Sequence, residues 1–296
     1  MRTKIVEVIN VHKFYREVKG FLFKKVVREV HALKGVSFDI RKGEIFGFLG
    51  PNAAGKTTMA RILSTYLTFE KGEIYINGIS LRDKRNLRKL RRIISAQFWG
   101  HVHAYAPLTI KENLKVVARL KHLDLSKESE LVEEVLKVLD LKDYANIPVY
   151  MLSAGFRGRL NLATCLVTDP EIVILDEPTA GVDPPIRRAF WEMFRDLKKS
   201  GKTILVTTHY MDEAENCDRL ALISYGKIIA EGQPREIKRM TYGGDVVRIR
   251  IRGSAERIID SLPVKKIIDI INGDNYVEIR AIVDEGDTVL IPDPSY

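Results

Sequence analysis

Cysteine is nearly absent from this 296-residue chain, which has only Cys165 and Cys217. They form no Cys-x-x-Cys pair, so a metal or disulfide framework has no support and a reduced, cytosolic compartment is expected. Long apolar runs are missing too. No stretch approaches the ~18 residues of a membrane-spanning helix. Met1-Arg2-Thr3-Lys4 leads straight into a strand-like segment, so no signal peptide is expected either. Heptad runs are lacking, which argues against a long coiled coil. Aromatic residues are absent from the most basic segment, residues 82–92, which argues against single-stranded nucleic acid held there by stacking.

What is present suffices for a substantial core. Hydrophobic residues make up 45% of the chain, and its length suits about two domains at ~150 residues each. The formal net charge is +9, with a pI near 9.4, which admits nucleic acid or an anionic membrane surface as a partner. Much of the excess sits in Arg82-Asp83-Lys84-Arg85-Asn86-Leu87-Arg88-Lys89-Leu90-Arg91-Arg92. A solvated helix face explains such a run. A patch toward lipid headgroups or a membrane partner is the sharper alternative.

Three short apolar runs, Glu44–Leu49, Ile172–Leu175 and Thr203–Thr207, lack the alternation of a half-exposed strand. They predict parallel strands covered on both faces. Each ends at polar residues: the glycine-rich segment from Gly50, the pair Asp176-Glu177, and Thr208-His209. Ligands of open α/β sheets lie beyond such strand ends. Residues 5–11 and 36–40 alternate like half-buried strands, and 74–78 ends in an Asn-Gly turn, which together suggest an antiparallel sheet beside the parallel one. Between Gln97 and Ser153 the period turns helical, with a capping box at Thr109–Glu112 and a second amphipathic pattern over Leu131–Leu139. From about Met240 the pattern changes again. Strands are expected near 247–251, 267–271 and 276–283, and a short helix over 256–262.

Gly50-Pro51-Asn52-Ala53-Ala54-Gly55-Lys56-Thr57-Thr58 is a phosphate-binding loop. Its backbone N–H groups and the following helix N-terminus surround phosphates. Lys56 is expected on the β- and γ-phosphates and the Thr57 hydroxyl on Mg²⁺. Downstream stand Leu152-Ser153-Ala154-Gly155-Phe156 and, 21 residues after Ser153, Ile174-Leu175-Asp176-Glu177-Pro178.

In this order the three motifs resemble the ATP-binding subunits of ABC transporters over roughly residues 3 to 240. The wording Gly47-Phe48-Leu49-Gly50-Pro51-Asn52 and the appended segment look most like the ABC-2-type exporters with short membrane subunits. The resemblance implies an α/β P-loop NTPase fold, with a RecA-like parallel core, an antiparallel β subdomain and a helical subdomain near 98–160. Together these make a cassette over 1–239, with a small α+β domain over 240–296 whose tail stops early. It implies Mg²⁺ held by Thr57, Asp176 and Gln97, water oriented by Glu177, and His209 on the γ-phosphate of ATP. It places Tyr15 against adenine, although an ordinary edge tyrosine fits that position as well. Ser153 and Gly155 are expected to reach ATP bound by a second copy, with Asp183 in the loop between copies. The expected partners are that second copy and a membrane-spanning transporter subunit, with no specific nucleic acid, at the inner face of the cell membrane. A soluble ABC ATPase of nucleic acid or ribosomes and a nucleotide-gated module with weak turnover are the alternatives. Two departures from the family wording matter. Ala53 replaces a glycine, at about 1 kcal/mol if φ is positive there, and Phe156 replaces a glutamine.

Overall fold

The structure is a computed structural model and describes residues 3–19, 25–98, 104–121, 125–242, 245–252, 266–272 and 276–283. It falls into two compact units, Met1–Glu231 and Gly232–Tyr296.

In chain order, the first unit contains β1 (Lys4–Lys19), β2 (Lys25–Arg41), β3 (Ile45–Leu49), α1 (Lys56–Leu63), β4 (Lys71–Ile76), β5 (Ile79–Ser80), α2 (Leu87–Ile93) and β6 (Ile94–Phe98). Then come α3 (Ile110–Leu120), α4 (Leu125–Val138), α5 (Ala154–Leu166), β7 (Ile172–Asp176), α6 (Pro184–Lys199), β8 (Thr203–Thr208), α7 (Met211–Ala214), β9 (Arg219–Ser224) and β10 (Lys227–Gly232). The main sheet runs β10-β9-β3-β8-β7-β6, with β9, β3, β8, β7 and β6 parallel along their shared edges.

The apolar runs are continuous because each core strand is buried on both faces. Phe46, Phe48, Ile172, Ile174 and Leu205 pack into one core with α1 and the antiparallel sheet. Ile45, Val173, Leu175, Ile204 and Val206 face the other, with α3 to α6. Burying a side chain of the size of Phe46, which is fully buried, contributes about 1.5–3 kcal/mol. The second sheet has the order β2-β1-β4-β5. Its hairpin is longer than the sequence pattern suggested: residues 5–11 and 36–40 are only one end of it, and β1 and β2 stay paired from Lys4↔Arg41 to Lys19↔Lys25.

The helical region matches its pattern, with the reciprocal Thr109–Glu112 capping box at the start of α3. Gln97, read as the start of that region, lies within β6, where Ile94 to Phe98 pair with Ile172 to Asp176. The last helix, α5, continues to Leu166, past the expected limit near 160.

The second unit contains α8 (Pro234–Tyr242), β11 (Asp245–Arg252), β12 (Lys266–Asn272) and β13 (Tyr276–Val283). Its antiparallel sheet has the order β11-β13-β12, and the central strand buries Ile279 and Ala281 completely. This unit begins ahead of the boundary expected at 239, because α8 starts directly after β10. Gln233 N donates to the Glu236 carboxylate at 2.7 Å there, closing the first turn. The helix expected over 256–262 and the tail after 283 lie outside the described residues.

Candidate active site

β3 delivers the phosphate loop. Gly50 N donates to Thr208 O of β8 at 3.3 Å, and a Cβ at Gly50 would stand 2.2 Å from the Ile223 carbonyl oxygen. Only glycine permits that approach. Ala53 has φ +62°, so the alanine occupies the left-handed region that glycine would enter without strain. Gly55, with φ +113°, is the N-cap residue of α1. Lys56 opens that helix and is buried, and its Nζ turns back to donate to Gly50 O at 2.8 Å and Pro51 O at 3.1 Å. The ammonium is therefore held by two carbonyls of the loop itself, at the start of the helix whose backbone N–H groups P-loops aim at phosphate.

β7 ends at Asp176, which is buried and braced by hydroxyls from both sides. Thr207 Oγ1 donates to Asp176 Oδ1 at 2.6 Å, and Thr57 Oγ1 donates to the same oxygen at 3.1 Å. Burial pushes this carboxyl above its ordinary range; the two hydroxyls oppose the shift and the neighbouring charge of Glu177 adds to it.

Glu177 has φ +49°, an unfavourable backbone conformation for a residue with a Cβ. Its N–H is shared between Thr207 O and Thr207 Oγ1, both at 3.1 Å, which fixes the turn. Its carboxylate then lies between two cationic or protonatable groups. Oε1 is 3.3 Å from Lys56 Nζ, and Oε2 is 3.2 Å from His209 Nδ1, without hydrogen-bond alignment to the ring. The ends of β3, β7 and β8 thus bring Lys56, Asp176, Glu177 and His209 together.

Beside them lies a cleft of about 270 Å³ lined by Tyr15, Val30, Ala32, the loop from Asn52 to Thr58, and Glu177. Tyr15 is 40% exposed, its hydroxyl shares a hydrogen bond with Thr58 Oγ1 at 3.3 Å, and Lys13 Nζ lies 5.7 Å from its ring centroid. A flat ring at the mouth of a phosphate cradle can stack on a base.

Other expected site residues stand apart. Gln97 is buried on β6 opposite Leu175, one position before the Phe98↔Asp176 pair. Ser153 caps α5, accepting from Phe156 N at 3.4 Å, and Gly155 packs on Ile186. Asp183 precedes α6, makes no side-chain cap bond and is exposed. None of Ser153, Gly155 and Asp183 borders the cleft. Phe156 spends its ring on Tyr144, at 4.1 Å between centroids, with the Arg159 guanidinium 5.6 Å away. Thr207 was not anticipated from the sequence. A threonine inside an apolar strand, one residue from the polar end, is the signal that could have found it.

A lysine in a backbone cradle, a hydroxyl-braced aspartate and a glutamate held between lysine and histidine define a P-loop nucleoside triphosphate site. The sequence profile of the family described as ABC transporter matches residues 33–180. The Nod factor export ATP-binding protein I of Neorhizobium galegae is 39% identical over 225 residues, 76% of this chain and 64% of that protein. The chain thus spans less than two thirds of that relative's length. Daunorubicin resistance ATP-binding protein DrrA3 of Streptomyces coeruleorubidus is 37% identical over 226 residues, 76% of this chain and 70% of that one. Among solved structures, a dimeric ATP-binding cassette in a post-hydrolysis state with ADP and Pi superimposes with a TM-score of 0.67 at 28% identity. That match covers 78% of this chain and 99% of that one. The chain belongs to the ABC transporter family and is one of its ATP-binding members. Among the described residues, no helix is long and apolar enough to cross a membrane.

Proposed function

We propose that the chain is the ATP-hydrolysing subunit of an exporter, dimerising around two Mg-ATP and driving a separate membrane subunit at the inner face of the cell membrane. The observation that carries this reading is the meeting of Lys56, Asp176, Glu177 and His209 at three adjacent strand ends. Phosphoryl transfer to water needs positioning and charge neutralisation more than covalent help. Lys56 supplies a fixed charge for the β- and γ-phosphates, Glu177 orients the attacking water and takes up its proton, and His209 holds the γ-phosphate from the neighbouring strand. Tyr15 stacks on the adenine.

The residues fit a magnesium ion. Asp176 is a buried carboxylate whose hydrogen bonds come from two hydroxyls, and Thr57 Oγ1 gives its proton to Asp176 and so keeps its lone pairs free. All these donors are hard oxygens, as Mg²⁺ requires. Thr57 and Asp176 would hold the ion, with Gln97 on the neighbouring strand. When bound, it would neutralise charge on the β- and γ-phosphates.

Ser153 and Gly155 lie away from the cleft of their own chain, which supports their use by a second copy, with Asp183 in the contact loop. The helix N-terminus behind Ser153 presents N–H groups suited to a phosphate. A groove of about 890 Å³, lined by Lys84, Arg88 and Arg92 together with Leu87, Ile94 and Leu120, supports docking of the membrane subunit. The names of the Nod factor and daunorubicin proteins support export as the direction. Calorimetry tests the reading: Mg-ATP should bind the wild-type chain and show no measurable binding to Lys56→Ala. Unchanged affinity in that variant would mean that the loop is not the nucleotide site.

A further inference from the structure

Glu213 lies in the short helix α7, four residues after His209, and its carboxylate is only 3% exposed. No step above uses it. Thr179 Oγ1 donates to Glu213 Oε1 at 2.5 Å, and Thr208 Oγ1 donates to Oε2 at 2.7 Å. Arg187 Nε stands 3.3 Å from Oε1, an ion pair with a guanidinium that is itself mostly covered.

These partners come from the three segments on which hydrolysis depends. Thr179 follows Glu177 by two residues, and Thr208 adjoins His209. Arg187 lies in the first turn of α6, just after Asp183. The links continue outward from the carboxylate. Arg187 Nη2 donates to Val182 O at 3.2 Å, and its guanidinium lies 5.0 Å from the centroid of the Tyr210 ring. That ring packs on His209 at 3.9 Å between centroids. Tyr210 N donates to Thr208 Oγ1 at 3.0 Å, which leaves the Thr208 hydroxyl proton directed at Glu213.

An ionised carboxylate only accepts hydrogen bonds. Here the segments after β7 and at the end of β8 each turn a hydroxyl toward it, and α6 supplies the facing charge of Arg187, whose Nε is not aligned to hydrogen-bond. A buried charge pair is a poor means of stabilisation compared with apolar packing of the same volume, but it strongly constrains geometry. We infer that Glu213 is a positioning residue for ATP hydrolysis: its carboxylate clamps the ends of β7 and β8 to the start of α6. Glu177 and His209 therefore keep their places only while the Asp183 segment is in register. This inference rests on the hydrolytic reading of the site.

The test measures steady-state phosphate release and ATP affinity for the 296-residue chain and two variants, Glu213→Gln and Thr179→Val. The amide of Glu213→Gln keeps the shape, loses the charge opposite Arg187 and cannot accept on both arms. Its kcat should fall about 10- to 100-fold, the scale of a small misplacement of catalytic groups. KM and the ATP Kd should stay within about 3-fold, since the phosphate loop makes no contact with Glu213. Thr179→Val removes one donor and leaves the Arg187 pair intact, so its kcat should fall about 5-fold with the same unchanged affinity. A wild-type kcat in either soluble variant would overturn the inference. So would a parallel loss of ATP affinity, which marks a general structural role. If Glu213→Gln does not fold, Thr179→Val decides alone. A wild-type chain that does not turn over ATP would refute the hydrolytic reading and this inference with it. Wild-type turnover with unaffected variants would refute only the role of Glu213.

Discussion

Replacing Glu177 by glutamine keeps the side-chain volume and removes the only carboxylate that lies between Lys56 Nζ at 3.3 Å and His209 Nδ1 at 3.2 Å. The backbone at this position is fixed by the shared Thr207 hydrogen bonds, so the amide should occupy the same place. It can still accept a hydrogen bond from water but cannot take up the proton. Loss of a positioned general base costs about 100- to 10,000-fold in rate, which corresponds to roughly 2.7–5.4 kcal/mol in the barrier at about 1.36 kcal/mol per tenfold. Lys56, Thr57 and Asp176 remain, so nucleotide binding should survive, and loss of a negative charge facing the γ-phosphate should leave affinity equal or tighter. Single-turnover phosphate release measures the first effect and calorimetry the second. A Glu177→Gln chain that hydrolyses ATP at the wild-type rate would show that another residue places the water.

Gly50→Ala should abolish ATP binding and lower stability by about 1–3 kcal/mol in urea titrations, because its Cβ would meet the Ile223 carbonyl oxygen at 2.2 Å. Chelation of divalent cations should stop hydrolysis of ATP and be reversed by Mg²⁺, whereas Asp176→Asn should stop it irreversibly; equal activity with and without chelator would remove the metal from the account. A chain ending after β10 should remain folded and bind ATP by calorimetry, since every site residue lies within Met1–Glu231. Burial raises the carboxyls of Glu44 and Glu231, which share Arg219. Because their folded pKa lies above the ordinary 4.5, the stability they add is complete below that pH and is lost as pH rises through the raised value. Glu231→Gln should therefore gain on the wild type in urea midpoints only as pH rises from the ordinary 4.5 through the raised value; a difference independent of pH would contradict the assignment.

Much of the site was readable because its residues stand at fixed offsets from apolar runs. Gly50, Asp176 and His209 each follow a strand buried on both faces, and such strands have no polar alternation to confuse their ends. The capping box at Thr109 was equally plain, since it depends on two residues three apart. The position of Gln97 was less so: β6 is a five-residue edge strand, and its pairing with β7 is a contact across more than seventy residues of chain. The long hairpin was hidden for a related reason. Charged residues such as Arg16 and Glu29 pair across it at 2.6 Å, and they break the apolar alternation by which a strand is read from sequence. Glu213 carries no signal in the sequence, because only the fold brings Thr179, Thr208 and Arg187 to its carboxylate. Ala53 was the reverse case: its residue type raised the question of a positive φ, and the backbone supplies it at +62°.

Ser153 and Gly155 do not border the cleft of their own chain, so in the proposed function two copies complete each other's site around ATP. Light scattering of the Glu177→Gln chain, with and without Mg-ATP, tests it most directly. The 33.7 kDa monomer is expected without nucleotide and a particle of twice that mass with Mg-ATP. A monomer under both conditions, with ATP shown to be bound, would contradict it.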